Sequence, residues 1–171
     1  MELLSSKKSK AQLISSEFFI ALVVITLLFS VSVVFWNQST FRIKESEERT
    51  NIEIATLAIS DHLLKSSGLP SDWEDNTSTT FSLGLVKDDH RLDTNKLKSF
   101  VKLDYNTTKK MLGIDSYEFY FRLVDQNNSL LKIDGTNLET GIMPSNASIA
   151  MNAKRIALLD QPVFMDVILW R

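Results

Sequence analysis

The sequence contains no cysteine, and its 171 residues include only two histidines, three prolines and five glycines. Without cysteine the chain can form neither a disulfide framework nor a thiolate metal site. His62 and His90 lie far apart and lack the spacing of metal ligands. No glycine-rich phosphate loop and no nucleophile-elbow motif occurs in the sequence. We therefore predict no catalytic residue, no metal ligand and no cofactor, and we predict that the protein is not an enzyme.

Positive charge is also scarce beyond the first residues of the chain. Residues 1–11 contain three lysines and one glutamate, whereas residues 12–171 contain more acidic than basic side chains. Nucleic-acid binding needs a cluster of basic side chains, which this acidic remainder does not offer. We therefore predict no nucleic-acid partner for the protein.

A long apolar run follows the basic leader. Residues 18–36 carry no charge, and their polar side chains are few: Thr26, Ser30 and Ser32. A helix of this length spans about 28 Å, close to the roughly 30 Å of a bilayer core. The apolar core of a cleaved secretory signal is shorter, at about 7–15 residues. The sequence therefore predicts a single transmembrane helix over residues 18–36, and the positive-inside rule predicts a cytoplasmic N-terminus and an extracellular head.

The residues at the start of this run resemble a known processing signal. The stretch Lys-Ser-Lys-Ala-Gln-Leu-Ile-Ser-Ser-Glu-Phe-Phe resembles the class III signal peptide of archaeal type IV pilin-like proteins. The resemblance implies that a prepilin peptidase cuts on the cytoplasmic side of the apolar run, so that the helix stays on the mature protein. The cut falls either between Ala11 and Gln12 or between Gln12 and Leu13, and the first leaves a small residue before the cut.

The resemblance also implies that Glu17 takes part in assembly. Burying a lone carboxylate at the membrane edge is costly, so the group requires a partner. Cleavage creates a free α-amine near Glu17 on the same subunit or on the next one, and pairing would neutralise both charges. The alternative interpretation is that Glu17 lies in the lipid headgroup layer without a specific partner.

Beyond the membrane, no glycine or proline occurs before Gly68. We therefore predict one helix over residues 13–64, inside a helical region of 12–66. The alternative is a membrane anchor and a separate amphipathic helix, with a kink at residues 37–40. The turn that follows contains Trp73, which is either an aromatic anchor of the core or a ligand-stacking side chain.

Residues 67–171 are predicted to form an extracellular head. Periodicity predicts strands at 79–86, 117–125, 129–133, 149–159 and 163–170 and a helix over 93–112. We expect 129–133 to return as the hairpin partner of 117–125, and 149–159 to pair with 163–170. The predicted fold class is α+β, with a long N-terminal helix and a mostly antiparallel sheet.

Five N-x-S/T sequons occur in the chain, which favours a glycosylated extracellular face. The alternative is that the loops are simply rich in asparagine. The candidate acceptors are Asn37, Asn76, Asn106, Asn127 and Asn146.

These features predict a filament subunit of the archaeal cell surface. The expected partners are the prepilin peptidase, the membrane and further copies of the chain, which would assemble through the apolar helix. The alternative function is a monomeric, membrane-anchored extracellular binding protein that does not polymerise.

Overall fold

A computed structural model describes the backbone from Lys7 to Arg171 and the side chains from Ser16 onward. Helix α1 runs over Lys7–Lys65 and contains 59 residues. Neither glycine nor proline interrupts this stretch, so every residue can keep helical backbone angles. The predicted long helix is confirmed, and within the described residues it already includes Lys7–Lys10 of the predicted leader. The break considered at residues 37–40 does not occur, because α1 continues through them.

The chain divides into two compact units, Met1–Glu47 and Glu48–Arg171. In the first unit, the described residues are helical throughout. The second unit contains the end of α1 and the whole sheet. It forms the head, in which the predicted α+β class is confirmed.

Within residues 48–171, two short helices and a six-stranded sheet follow α1. The helices are α2 (Thr94–Lys102) and α3 (Tyr105–Leu112). The strands of the sheet are β1 (Val86–Asp88), β2 (Arg91–Leu92), β3 (Glu118–Val124), β6 (Glu139–Gly141), β7 (Ala150–Leu158) and β8 (Pro162–Trp170). A separate hairpin contains β4 (Lys132–Ile133) and β5 (Thr136–Asn137).

The strands of the sheet lie in the order β1-β2-β7-β8-β3-β6. β8 is antiparallel to both β7 and β3, and β3 is antiparallel to β6. The parallel contact is the short one between β2 and β7. The predicted strands at 149–159 and 163–170 are thus confirmed as paired neighbours, and β8 has a strand on each side.

One face of the sheet packs on the final turns of α1. The buried side chains of α1 include Ile52, Thr56, Ile59 and Leu63, which recur at the spacing of one helical face. The sheet contributes alternate residues to the same core: Phe119, Phe121 and Leu123 from β3, and Val163, Met165, Val167 and Leu169 from β8. Burying each such large side chain stabilises the head by about 1.5–3 kcal/mol.

The strand predicted at residues 79–86 is wrong over most of its length. Thr77–Thr79 forms a 3-10 turn, and only Val86 enters a strand. The backbone of this segment bonds to the end of α1 instead, since the Leu85 N–H donates to the Leu63 carbonyl at 3.0 Å. The Leu85 N–H is therefore not available to a neighbouring strand.

The single helix predicted over residues 93–112 is two helices. Asp93 caps α2 by accepting from the N–H groups of Asn95 and Lys96. The helix then breaks because Asp104 caps α3, accepting from the Thr107 N–H at 3.0 Å. Gly113 ends α3 in the left-handed conformation that glycine adopts without strain.

The strand predicted at 117–125 is confirmed as β3, and its predicted hairpin partner at 129–133 is confirmed only at its start. Leu130 bridges to Val124 and the Leu131 N–H donates to the Leu123 carbonyl at 3.0 Å, whereas β4 pairs with β5. Asp134 and Gly135 both have positive φ at the tip of that hairpin, so the Asp-Gly pair directs the chain into a tight turn. The sheet neighbour of β3 on this side is β6.

Candidate functional site: the apolar segment of helix α1

The apolar segment, defined as residues 18–36 of α1, is exposed along its whole length. Among its large apolar side chains, the exposed fraction runs from 43% at Val33 to 75% at Trp36. A water-soluble surface rarely leaves so large a continuous patch uncovered. Within the described residues, one helix is long and apolar enough to cross a membrane, and this segment lies in it near the N-terminus.

The hydroxyl groups of this segment are satisfied inside the helix. Thr26, Ser30 and Ser32 each donate to the backbone carbonyl four residues earlier, at 2.8 Å. Thr40, just beyond the segment, makes the same bond at 2.9 Å. Because each of these donors has a partner, the segment can meet lipid or an apolar helix without exposing an unpaired hydroxyl hydrogen.

Glu17 lies on α1 directly before the apolar segment, and its side chain is exposed. The candidate cleavage residues Ala11, Gln12 and Leu13 lie outside the residues whose side chains are described. In the uncut chain, α1 continues through all of them, so the amine to which Glu17 would pair exists only after cleavage.

The five sequon asparagines are all exposed: Asn37, Asn76, Asn106, Asn127 and Asn146. Asn37 lies on α1 next to Trp36, whereas the other four lie in the head. The Asn76 side chain already accepts from the Ser78 N–H at 3.2 Å and caps the 3-10 turn. Exposure makes each side chain accessible to a modifying enzyme.

Both histidines of the head have neighbouring polar groups. His62 Nε2 lies 2.7 Å from Ser82 Oγ, an exposed contact that ties residue 82 to the end of α1. His90 lies in the turn between β1 and β2, and its Nδ1 is 2.8 Å from Asp89. Within the described residues, no three His, Asp or Glu side chains form a group that could hold a metal ion.

Trp73 anchors the loop that follows α1, as one of the two sequence interpretations predicted. Its side chain is fully buried, and its indole N–H donates to the Gly84 carbonyl at 2.9 Å. Lys96 holds the same loop, which sequence reasoning missed. Its buried ammonium donates to the carbonyls of Ser67 and Ser71 and lies 3.4 Å from Glu74. A lysine on the otherwise apolar face of α2 is the signal that would have revealed it.

Two tyrosine–carboxylate pairs occur on the sheet. The Tyr105 hydroxyl donates to Glu118, and the Tyr120 hydroxyl donates to Glu139 at 2.7 Å. Burial and the neighbouring carboxylate raise the pKa of each tyrosine to about 12. The same hydrogen bonds lower the pKa of Glu118 and of Glu139 below the ordinary value of 4.5. These hydrogen bonds connect neighbouring elements of the head, and we assign them a structural role.

Comparison of the chain with protein-family models, with curated proteins and with solved structures gives no match. The functional argument therefore depends on the residues of this chain and on the geometry of its apolar segment.

Proposed function

We propose that this chain is a type IV pilin-like filament subunit of the archaeal cell surface. In this proposal a prepilin peptidase removes the basic leader, and the mature chain assembles through the apolar segment of α1. The head remains outside the cell, anchored by one membrane-spanning helix before assembly.

The observation that carries the proposal is the continuity of α1. One uninterrupted helix holds both the exposed apolar segment and the residues that complete the core of the head. Ordinary membrane anchors need no helical connection to the domain that they carry. A filament subunit can use one such helix both to pack against its copies and to complete the core of its own head.

The apolar segment also supports self-association. Its side chains are exposed on every face of the helix, and its hydroxyl donors are bonded internally. Such a surface can move from lipid to a bundle of identical helices without leaving a hydroxyl donor unpaired. Glu17 is the one charge at the edge of this surface, and a cleaved α-amine would neutralise it.

Mass spectrometry of the native N-terminus tests the processing step. We expect a mature chain that starts at Gln12, with a start at Leu13 as the second possible register. A native chain that retains Met1 through Ala11 would contradict the proposal and favour a membrane-anchored monomeric binding protein.

A glutamate substitution tests the assembly step. Glu17→Ala should abolish sedimentable filaments while the chain still enters the membrane, because the substitution removes the partner of the new amine. Glu53→Ala is the matched control, since Glu53 is an exposed carboxylate on the same helix outside the apolar segment. Equal assembly of both variants would remove Glu17 from the mechanism.

A further inference from the structure

Strand β7 has a largely unpaired edge. It pairs with β8 over all nine of its residues, from Ala150 to Leu158. On its other side, β7 pairs with β2 at one position, where Leu158 lies opposite Arg91. Among the described residues, the rest of this edge has no strand neighbour in the sheet order.

The phase of the hydrogen bonds shows which residues face outward. The Leu158 N–H donates to the His90 carbonyl at 2.8 Å, away from β8. Just before the strand, Ile149 exchanges backbone hydrogen bonds with Arg171, the residue after β8, so Ile149 bonds toward the β8 side. Because the pattern repeats every two residues, the backbone groups of Ala150, Asn152, Lys154 and Ile156 point out of the sheet.

The residues beside β7 limit where another strand can lie. A groove of about 580 Å³ runs beside residues 154–158, and the Arg155 guanidinium crosses it to Asp61 at 3.0 Å, so an added strand would lie along Ala150–Lys154. Ile156 is 65% exposed at this edge. A row of free N–H and C=O groups next to exposed apolar side chains is the usual acceptor for an added strand.

A row of alternating charge crosses the outer face of the sheet. Lys154 of β7 lies opposite Asp166 of β8. On the next strand, Arg122 of β3 lies between Asp166 and Glu139 of β6. Arg122 Nε and Asp166 Oδ2 are 3.0 Å apart, and Asp166 is buried. The row begins with a cation at the β7 edge and ends with an anion at the β6 edge.

The β6 edge complements the β7 edge in direction as well as in charge. The Ile142 N–H donates to the Phe119 carbonyl and the Leu123 N–H donates to the Leu138 carbonyl, so residues 138 and 142 bond toward β3. Thr140 lies two residues from each of them and therefore also bonds toward β3. The backbone groups of Glu139 and Gly141 therefore point outward. Neighbouring strands from β7 to β6 alternate in direction, so a copy placed beside β6 would present its β7 antiparallel to it.

We propose that heads of neighbouring copies join edge to edge, with β6 of one copy antiparallel to β7 of the next. This inference rests on the proposed self-assembly and adds a head-to-head contact to it. Glu139 then lies opposite Lys154, which continues the alternation of charge from copy to copy. The contact joins two different surfaces, so it can repeat from copy to copy and does not form a symmetric pair.

Pairing of β7 with itself is the competing arrangement, and the charge disfavours it. Two antiparallel β7 strands would bring their Lys154 side chains into neighbouring positions on one face, where like charges repel. An edge lysine also protects strands against unselective pairing. A carboxylate on the incoming strand satisfies this lysine, whereas a second β7 does not.

The register gives a cross-linking test on the full chain in membranes. With Glu139 opposite Lys154, Met143 lies opposite Ala150, and such pairs have Cα atoms about 5.5 Å apart, within disulfide range. Both side chains are exposed, and the native chain has no cysteine. Mixed M143C and A150C chains should form a disulfide-linked dimer that neither variant forms alone.

Two outcomes of this experiment would overturn the head contact. One is efficient dimerisation of A150C alone, which indicates symmetric β7 pairing. The other is cross-linking of A150C to M143C no stronger than to K110C, a matched cysteine at an exposed position on α3.

A charge reversal tests the recognition itself. Adding Lys154→Glu to the A150C chain should lower cross-linking to M143C by about three- to tenfold, because attraction becomes repulsion. Lys110→Glu in the same background is the control and should leave cross-linking within about twofold. Equal cross-linking with both reversals would contradict the charge pairing.

Filament assembly of the unmodified chain separates the two proposals. If the wild-type chain assembles and the paired cysteines do not cross-link, the head contact is wrong and the assembly proposal stands. If the wild-type chain forms no filament, the proposed function is wrong.

Discussion

Lys96 is the buried cation on which the loop after α1 depends. Its ammonium group binds two loop carbonyls and the carboxylate of Glu74. Trp73 packs in the same loop with no exposed surface. The two carbonyl oxygens and the carboxylate offset the cost of burying this ammonium group.

Lys96→Met should destabilise the head strongly. The substitution keeps the length of the side chain but leaves Glu74 and two carbonyls without their partner, at a cost of about 3–5 kcal/mol in free energy of unfolding. Urea unfolding of the full chain in detergent, followed by tryptophan fluorescence, measures the loss. Lys102→Met is the control on the same helix, where the lysine is exposed, and should change stability by about 0.5 kcal/mol or less. Similar losses in both variants would contradict the role of Lys96.

Tyr105 makes the stability of the head sensitive to alkaline pH. Its pKa is raised from 10.0 to about 12 in the folded state, so the folded chain holds a proton that the unfolded chain releases. The resulting stabilisation is complete below pH 10 and disappears as the pH rises toward 12. Tyr105→Phe should cost about 1–2 kcal/mol at neutral pH and should make the loss of stability between pH 10 and 12 less steep.

Denaturation curves at several pH values measure both effects of Tyr105→Phe. Tyr117→Phe is the control, because it removes a tyrosine hydroxyl from the same part of the chain and leaves the Tyr105–Glu118 pair intact. If Tyr105→Phe and Tyr117→Phe show the same slope between pH 10 and 12, the pair does not contribute.

Among the elements of the head, the segment from Thr80 to Leu85 is held by the end of α1. A Cβ atom on Gly84 would lie 2.1 Å from the Ser66 carbonyl oxygen and 2.4 Å from the Gly68 nitrogen. The backbone at Gly84 thus passes too close to the helix end for any side chain. Gly113 is different, because it needs glycine only for its φ of +70° and has open space around its Cα.

Gly84→Ala should therefore be more harmful than Gly113→Ala. Forcing backbone segments apart at Gly84 should cost about 3 kcal/mol, the upper end for an overpacked site. The left-handed conformation at Gly113 should cost an alanine about 1–2 kcal/mol. Thermal unfolding of both variants under one condition tests the order. An equal or reversed order would show that the helix end and the segment can separate.

The elements that the sequence predicted well have local signals. Helix α1 lacks any breaker, Asp93 and Gly113 are recognisable caps, and β3 and β8 are rich in aromatic or branched residues. The wrong predictions concern places where two signals compete. Residues 79–86 resemble a strand, but their backbone bonds go to Leu69 and to Leu63 at the end of α1. Asp104 restarts a helix that periodicity alone would continue.

For the molecule as a whole, the uncovered apolar segment is the dominant property. A cation at the centre of a membrane helix costs about 2.5–3.5 kcal/mol of insertion free energy. Ile25→Arg should therefore reduce insertion markedly in a translocation reporter assay. Ile54→Arg is the matched control, since Ile25 is 64% exposed and Ile54 is 61% exposed on the same helix. Equal insertion of the two variants would show that residues 18–36 do not span the membrane.

The candidate assembly site was thus largely predictable, whereas the candidate head contact was not. The apolar segment, Glu17 and the sequon asparagines are read directly from residue types and spacing. The edge of β7 depends on which strands become neighbours, and the row from Lys154 to Glu139 joins residues from four separate strands.

The sequence by itself determined the long helix and its apolar segment, because helix continuity and membrane length depend only on consecutive residues. It also determined the α+β class, because the helical and strand patterns occupy separate parts of the chain. The tertiary structure decided the order of the strands, the partners of residues 79–86 and the clamp at Lys96. Those features follow from contacts between residues distant in sequence, where a backbone group can bind only one of several competing partners and burial selects which.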